Sequence, residues 1–221
     1  MSISENLNTI KSQLPSHVTL VAVSKTKPVA DLMEAYNAGQ RIFGENKIQE
    51  MTEKWEQMPK DIEWHMIGHV QTNKVKYMAP YVSLIHGVDS LKLLQEINKQ
   101  AAKNNRVIDC LLQIYIAEEE SKFGLDEQEL EEILKQVQHD KDNFKNIRIV
   151  GLMGMATFTK NQNQIEKEFK HLKAIFDKIN ELSIINYQLS ILSMGMSGDY
   201  QLAISCGSTM VRIGSSIFGS R

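Results

Sequence analysis

Lys25 is the residue whose type and position most directly suggest covalent chemistry. It follows an apolar run at residues 18–24, and strand alternation places Val21, Val23 and Lys25 on one face. If that face points into a barrel, burial lowers the pKa of the lysine, and its neutral amine becomes a nucleophile for an aldehyde. The alternative is a solvent-facing lysine just beyond the strand, which the following Thr26-Lys27-Pro28 permits.

A second group of residues, near the end of the sequence, is suited to a phosphate. Arg212 comes two residues before a Gly214-Ser215-Ser216 turn, and an earlier apolar run ends in Ser193-Met194-Gly195-Met196-Ser197. Glycine permits close backbone approach, and consecutive N–H groups at the start of a helix suit a phosphate. A Gly/Ser turn alone is a weak signal. Combined with a nucleophilic lysine, it predicts a phosphorylated aldehyde as ligand, and pyridoxal 5′-phosphate (PLP) fits that description.

The elements that must position these residues are eight short apolar runs separated by amphipathic stretches. The runs are too short for buried helices and are predicted as strands at residues 18–24, 41–44, 63–68, 82–86, 108–116, 147–153, 188–193 and 210–213. The clearest helical spacing lies at residues 165–179. Alternating strands and helices imply a parallel sheet, and eight such units predict a single (β/α)₈ TIM barrel. An open doubly wound sheet is the alternative.

Length and composition are consistent with one barrel domain over residues 1–221. Residues 3–13 predict an extra N-terminal helix that would lie between the last strand and the first. A chain of 221 residues that is 42% hydrophobic can bury a core without a metal or disulfide.

A net charge of −2 gives no broad basic surface for nucleic acid. No signal peptide or membrane-length apolar stretch is found, so the expected location is cytoplasmic and the expected partners exclude membranes.

Two other constellations do not predict a metal site. His65 and His69 have the i, i+4 spacing of a zinc pair, but His65 lies in a predicted strand and no HExxH motif is present. We expect packing or hydrogen bonding at the barrel mouth for both. Cys110 and Cys206 match no metal or disulfide spacing and are expected to be small buried residues.

Five ordered blocks of the sequence resemble the pyridoxal phosphate homeostasis proteins, also called the YggS/PROSC family, over essentially the whole chain. They are residues 21–25 (VAVSK), 43–46 (FGEN), 64–74 (WHMIGHVQTNK), 193–197 (SMGMS) and 207–219 (GSTMVRIGSSIFG). That family is similar in turn to the barrel domain of alanine racemase. The resemblance therefore implies an alanine-racemase N-terminal-domain-like barrel with PLP as its cofactor.

The resemblance also implies roles for individual residues. Lys25 would be the Schiff-base lysine, and Arg212 would meet the pyridine nitrogen. Gly214, Ser215 and Ser197 would hold the phosphate, Ser193 and Met194 would line that wall, and Asn46 would be a further pocket residue. Because arginine only donates hydrogen bonds, the ring nitrogen stays largely unprotonated and the ring is a weaker electron sink. This favours racemase-type proton transfer or no catalysis over transamination and decarboxylation.

The function implied by the resemblance is a protein that carries and buffers PLP through a reversible Schiff base, in vitamin B6 and amino-acid homeostasis, without catalytic turnover. The alternative is a small PLP-dependent amino-acid racemase, which needs a second acid/base opposite Lys25. Alanine racemases take a tyrosine from a separate C-terminal domain, which we do not expect here. Tyr115 and Tyr200 are the candidates near strand ends. A third reading is a PLP-free barrel enzyme acting on a phosphorylated metabolite.

The expected partners are PLP itself and PLP-dependent apo-enzymes that receive it. A monomer is expected. In alanine racemase the second domain supplies one of the dimer contacts, and we do not expect that domain here.

Overall fold

The eight apolar runs form eight parallel strands in the computed structural model, which describes residues 2–119, 122–186 and 188–219. The strands are β1 (Thr19–Val23), β2 (Ile42–Glu45), β3 (Glu63–Met66), β4 (Leu84–Val88), β5 (Ile108–Gln113), β6 (Ile147–Met153), β7 (Ile191–Met196) and β8 (Met210–Ile213). Each strand pairs with the next in chain order, and β8 pairs with β1 to close the barrel. The predicted (β/α)₈ barrel is confirmed, and closure excludes the open doubly wound sheet.

Helices follow the strands on the outside of the barrel. The described α-helices are α1 (Ile3–Gln13), α2 (Val29–Asn37), α3 (Ile48–Gln57), α4 (Val75–Met78), α5 (Leu91–Lys103), α6 (Glu127–His139), α7 (Gln162–Leu182), α8 (Tyr200–Ser205) and α9 (Ser215–Phe218). Short 3₁₀ turns precede α4 at Thr72–Lys74 and follow α6 at Lys141–Asn143. Within the described ranges, no helix combines the length and apolar character needed to cross a membrane.

The N-terminal helix α1 has the bounds predicted from the sequence. A capping box starts it: the Ser2 hydroxyl accepts from the Glu5 amide at 3.2 Å, and the Glu5 carboxylate accepts from the Ser2 amide at 2.8 Å. Leu7 and Ile10 are buried against the rest of the core. α1 packs against α2 and α9, and its Asn6 side chain donates to the Ile217 carbonyl at 3.0 Å. It therefore covers the barrel between the last strand and the first.

Strand alternation divides the buried apolar residues into an inner and an outer set. The inner set contains one residue from each of five strands: Val21, Leu84, Leu111, Met153 and Met210. The outer set fills the space between strands and helices. Because Val21 belongs to the inner set, the face of β1 that it shares with Val23 points into the barrel. Lys25 follows two residues after the end of β1.

Strand β7 differs from its predicted bounds in a way that affects the site. We expected residues 188–193, but the strand covers Ile191–Met196. The glycine and serine in this segment suggested the end of a strand. In the barrel, β6 and β8 supply partners on both sides, with Met153 opposite Ser193 and Arg212 opposite Met196. Ser193 consequently lies within the strand and not at its end.

Candidate functional site

A cavity of about 570 Å³ opens at the C-terminal ends of the strands, where a barrel places its active site. Six of the eight residues predicted for the site line it: Lys25, Asn46, Ser197, Arg212, Gly214 and Ser215. They come from the ends of β1, β2, β7 and β8. Barrel closure thus brings the two ends of the sequence to one cavity.

Lys25 is carried by a tight turn that follows β1. The Lys27 amide donates to the Ser24 carbonyl at 3.1 Å, which leaves Lys25 and Thr26 as the central residues of the turn. Thr26 has a φ of +65°, which β-branched residues rarely adopt. The Lys25 side chain is half-buried and lines the cavity. Lys27 lines the cavity too, and its ammonium donates to the Phe218 carbonyl at 2.8 Å.

Arg212 is a buried cation in the wall of the cavity, with only 4% of its surface exposed. Its Nη1 donates to the Ser193 hydroxyl at 2.6 Å and to the Ser193 carbonyl at 2.9 Å, and its Nη2 donates to the Gly154 carbonyl at 3.0 Å. Burial lowers the pKa of Arg212 to about 10, opposed by the carboxylate of Asp199. The guanidinium therefore stays protonated at neutral pH and acts only as a donor.

Ser193 and Met194 are the two predicted site residues that are not among those lining the cavity. Ser193 is fully buried, and its hydroxyl contacts Arg212 and, at 3.1 Å, Nδ1 of His86. Met194, the next residue along the strand, points to the opposite side and packs in the outer core. The structure therefore places Ser193 behind Arg212 and Met194 between the barrel and its helices.

A buried chain of hydrogen bonds continues from Ser193 into the barrel. His86 Nε2 lies 3.1 Å from His65 Nδ1. Arg212 can only donate to the Ser193 hydroxyl, whereas that hydroxyl and His86 Nδ1, and His86 Nε2 and His65 Nδ1, each share one hydrogen whose donor depends on the tautomers of the two imidazoles. Burial lowers the pKa of His65 to about 3, and burial with the nearby His65 and Arg212 holds the pKa of His86 far below its usual range. Both imidazoles are neutral at neutral pH.

These buried hydrogen bonds distinguish the two histidines that the sequence analysis considered as a zinc pair. His65 is a hydrogen-bonding residue inside the barrel, whereas His69 lies at the mouth, 3.3 Å from the Asp89 carboxylate. The residues that the structure describes include no group of three or more His, Cys, Asp or Glu side chains arranged to hold a metal. Cys110 and Cys206 are buried free thiols, as predicted.

The side of the cavity nearest β8 combines a glycine with two serines. The Gly214 amide donates to the Ser197 hydroxyl at 3.2 Å, and α9 starts at Ser215. A Cβ atom at Gly214 would lie 3.0 Å from the Val23 carbonyl oxygen, so glycine lets the end of β8 pack closely on β1. Hydroxyl and backbone N–H groups at a helix start are the donors that suit a phosphate.

Several cavity residues were not anticipated from the sequence. They include Gln113, Phe123, Phe158 and Asp199. Most lie in loops after strands, and no local pattern distinguishes them. Their one usable signal was position, because the loops that follow barrel strands surround the active site. Asp199 precedes α8, and its carboxylate accepts from the Met196 amide at 2.5 Å, while burial raises its pKa.

The two tyrosines considered as a second acid/base lie outside the cavity. The Tyr115 hydroxyl donates to the Glu119 carbonyl at 3.0 Å, and the Tyr200 hydroxyl donates to the Gln13 side chain at 2.6 Å. Among the described residues that line the cavity, none is a tyrosine.

Comparisons with known proteins agree with this architecture. The family model for the alanine racemase N-terminal domain matches residues 1–221. The pyridoxal phosphate homeostasis protein of Haemophilus influenzae is 37% identical, over 100% of this chain and 97% of its own. PipY of Synechococcus elongatus, solved with PLP bound, is 33% identical with a TM-score of 0.89, covering 99% of this chain and all of its own.

Alanine racemase from E. faecalis shares the fold, at 18% identity and a TM-score of 0.79. This chain covers 58% of that enzyme. The match to the family model and the full-length similarity to curated relatives give the same result. The chain belongs to the pyridoxal phosphate homeostasis protein family, within the group defined by the alanine racemase N-terminal domain.

Proposed function

We propose that this protein binds PLP through Lys25 and carries and buffers the cofactor in vitamin B6 and amino-acid homeostasis, without catalytic turnover. The observation that carries the proposal is the meeting of Lys25, Arg212 and the Gly214–Ser215 turn in one cavity at the barrel mouth. Family membership adds weight, because curated relatives are named pyridoxal phosphate homeostasis proteins and PipY has been solved with PLP bound.

The donors around the cavity fit the parts of PLP. Arg212, buried and protonated, would meet the pyridine nitrogen. Ser197, Gly214 and Ser215 would hold the phosphate at the side of the cavity nearest β8. At this side, a Cβ atom on Gly214 would crowd β1. Asn46, which follows the end of β2, would be a further pocket residue. Ser193 would hold Arg212 in place through its hydroxyl and carbonyl, and Met194 would support the wall from the outer core.

The chemistry suits a carrier. The aldehyde of PLP supplies an electrophile that the neutral Lys25 amine can attack, with loss of one water and formation of a C=N bond that hydrolysis or another amine reverses. Arg212 would donate to the ring nitrogen and leave it unprotonated, which would weaken the ring as an electron sink. The cavity opens at the barrel mouth, so the cofactor has a route in and out.

The first test is a spectrum followed by chemical trapping. Purified protein incubated with PLP should develop a visible Schiff-base band, and borohydride reduction should leave a phosphopyridoxyl group on Lys25. Fragment spectra must separate Lys25 from Lys27, which lies two residues further along and also lines the cavity. No band with excess PLP, or trapping at another lysine in the wild-type protein, would overturn the central assignment.

A small amino-acid racemase is the competing function, because the fold is that of the alanine racemase barrel. It would require conversion of an L-amino acid to its D-form that disappears in Lys25→Ala. The carrier proposal predicts no such conversion. It predicts instead that PLP-loaded protein restores activity to a PLP-dependent apo-enzyme, and failure to deliver PLP under any condition would refute the transfer.

We further propose that residues 1–221 act as one monomeric, cytoplasmic domain. What supports a single domain is the closed barrel, whose strands come from the whole length of the chain. Light scattering of the purified protein at increasing concentration should give the mass of one chain, and a stable dimer would contradict this part of the proposal.

A further inference from the structure

A buried ion pair lies behind the turn that carries Lys25, and its residues are not among those lining the cavity. Lys54 of α3 contacts Glu45 of β2 at 2.7 Å, with side chains 6% and 0% exposed. The Lys54 ammonium also donates to the Glu50 carboxylate at 2.7 Å and to the Ser24 carbonyl at 2.8 Å. Its three hydrogens thus have three acceptors. We refer to Lys54, Glu45, Glu50 and Ser24 as the Lys54 cluster.

The cluster binds the chain on both sides of Lys25. Before it, the Ser24 hydroxyl donates to Glu45 Oε1 at 2.6 Å. After it, the Thr26 amide donates to Glu50 Oε1 at 2.5 Å. The two residues that flank Lys25 are therefore held by carboxylates that share one ammonium.

The backbone at this point requires such support. Thr26 has its φ of +65° at a position where glycine or asparagine is usual, and such strain persists only where surrounding contacts impose it. Stability alone does not explain the cluster, because burying an ion pair is costly and the second Glu45 oxygen, Oε2, is buried without a partner. The strained backbone at Thr26 and the buried ion pair lie next to Lys25, so we infer that both serve to position this lysine.

We propose that Lys54 is a positioning residue for Schiff-base formation: through Ser24 and Glu50 it holds the strained turn that keeps Lys25 at the cavity. The inference rests on the proposed function, since positioning matters only if Lys25 reacts with PLP. Without Lys54 the turn relaxes and the amine samples many orientations, which lowers the fraction poised to react. Arg212, Ser197 and Gly214 make no contact with the cluster in the bonds described above, so binding of the ring and phosphate should survive.

The test compares two ligands on Lys54→Met. PLP reports reaction at Lys25, whereas pyridoxine 5′-phosphate, which has an alcohol in place of the aldehyde, reports only the ring and phosphate site. We expect the variant to form the Schiff base roughly tenfold to a hundredfold more slowly. Its affinity for pyridoxine 5′-phosphate should stay close to that of the wild type. The matched control is Glu53→Ala, on the same helix, whose side chain contacts Gln49 at the surface.

A second variant guards against loss of the fold. Lys54→Met alone leaves the buried Glu45 without a cation, so Lys54→Met/Glu45→Gln removes both charges while the glutamine oxygen can still accept from Ser24. Thermal unfolding identifies which variants are folded. The double variant still lacks the ammonium that links Ser24 to Glu50, so it should show the same selective loss.

Each outcome bears on the inference. Equal loss of both ligands would make Lys54 a general structural residue, and an unchanged Schiff-base rate would remove its role altogether; either overturns the inference while the proposed function stands. If the wild-type protein itself forms no Schiff base, the proposed function fails and the inference falls with it. Glu50→Ala, which removes the acceptor of the Thr26 amide, should also slow Schiff-base formation selectively.

Discussion

Nη1 of Arg212 donates to the hydroxyl of Ser193 at 2.6 Å, and this bond joins the cavity wall to the interior of the barrel. The same hydroxyl lies 3.1 Å from His86 Nδ1, and His86 in turn contacts His65. A permanently charged guanidinium at the cavity is thus held by a chain of neutral groups. Because Ser193, His86 and His65 are all buried and linked by hydrogen bonds, they hold Arg212 in one orientation.

Ser193→Ala should lower both stability and PLP affinity. It removes the acceptor for the charged Arg212 donor and the hydrogen-bond partner of His86 Nδ1, both of which are buried, and such losses amount to about 1–3 kcal/mol. Urea unfolding measures the first effect, and titration with PLP measures the second. Ser190→Ala, at an exposed position just before the same strand, is the control and should change stability by less than about 0.5 kcal/mol. Equal results for the two variants would show that the Ser193 hydroxyl does not support Arg212.

The buried His65 should make the protein less stable as the pH falls. Burial lowers the pKa of His65 from 6.5 to about 3, so between these values the unfolded histidine gains a proton that the folded one does not bind. The free energy of unfolding then decreases with falling pH, by up to about 1.4 kcal/mol per pH unit from this residue.

His65→Phe tests this dependence, because phenylalanine does not titrate. Urea unfolding between pH 7 and 4.5 should give a shallower loss of stability for the variant than for the wild type. The exposed His17, changed to glutamine, provides the control and should leave the slope as it is. A slope that His65→Phe does not alter would mean that this imidazole is not held neutral.

Gly214→Ala should destabilise the end of β8. The new Cβ would lie 3.0 Å from the Val23 carbonyl and 3.2 Å from the Val23 Cβ, so one strand must shift, at a cost of about 1–3 kcal/mol. Affinity for PLP should fall as well if the phosphate is held here. Gly198→Ala is the matched control, because it lines the same cavity and its Cβ would meet nothing within 4 Å. Denaturation and PLP titration of both variants check the prediction, which fails if they behave alike.

Thr26→Asn should stabilise the fold. Asparagine tolerates the positive φ of this position better than a β-branched residue, and the relief should be roughly 0.5–1 kcal/mol. Thr26→Val keeps the β-branch and should give no gain. Chemical denaturation measures both variants. Equal stability of the asparagine and valine variants would show that the turn is not strained.

Much of the fold was predictable from local pattern. Short apolar runs alternating with amphipathic stretches identified the eight strands, and β6 and β8 have their predicted bounds. Alternation along β1 predicted that Val21, Val23 and Lys25 share one face, because side chains on a strand point alternately to opposite faces. The structure shows that Val21 on this face lies inside the barrel and that Lys25 lines the cavity at its mouth. The sequence blocks likewise identified Arg212 and the Gly214–Ser215 turn, which lie at the cavity.

Contacts between distant segments could not be read in the same way. Ser193 was expected at a strand end, but pairing with both neighbouring strands extends β7 and places the residue behind Arg212. His86 and Lys54 carried no local signal, since an isolated histidine in a strand and a lysine on a helix are ordinary. The sequence by itself determined which faces are apolar and which residue types carry chemistry. Only closure of the barrel decided which polar groups are buried together, because hydrogen bonds and ion pairs in the interior depend on segments far apart in the chain.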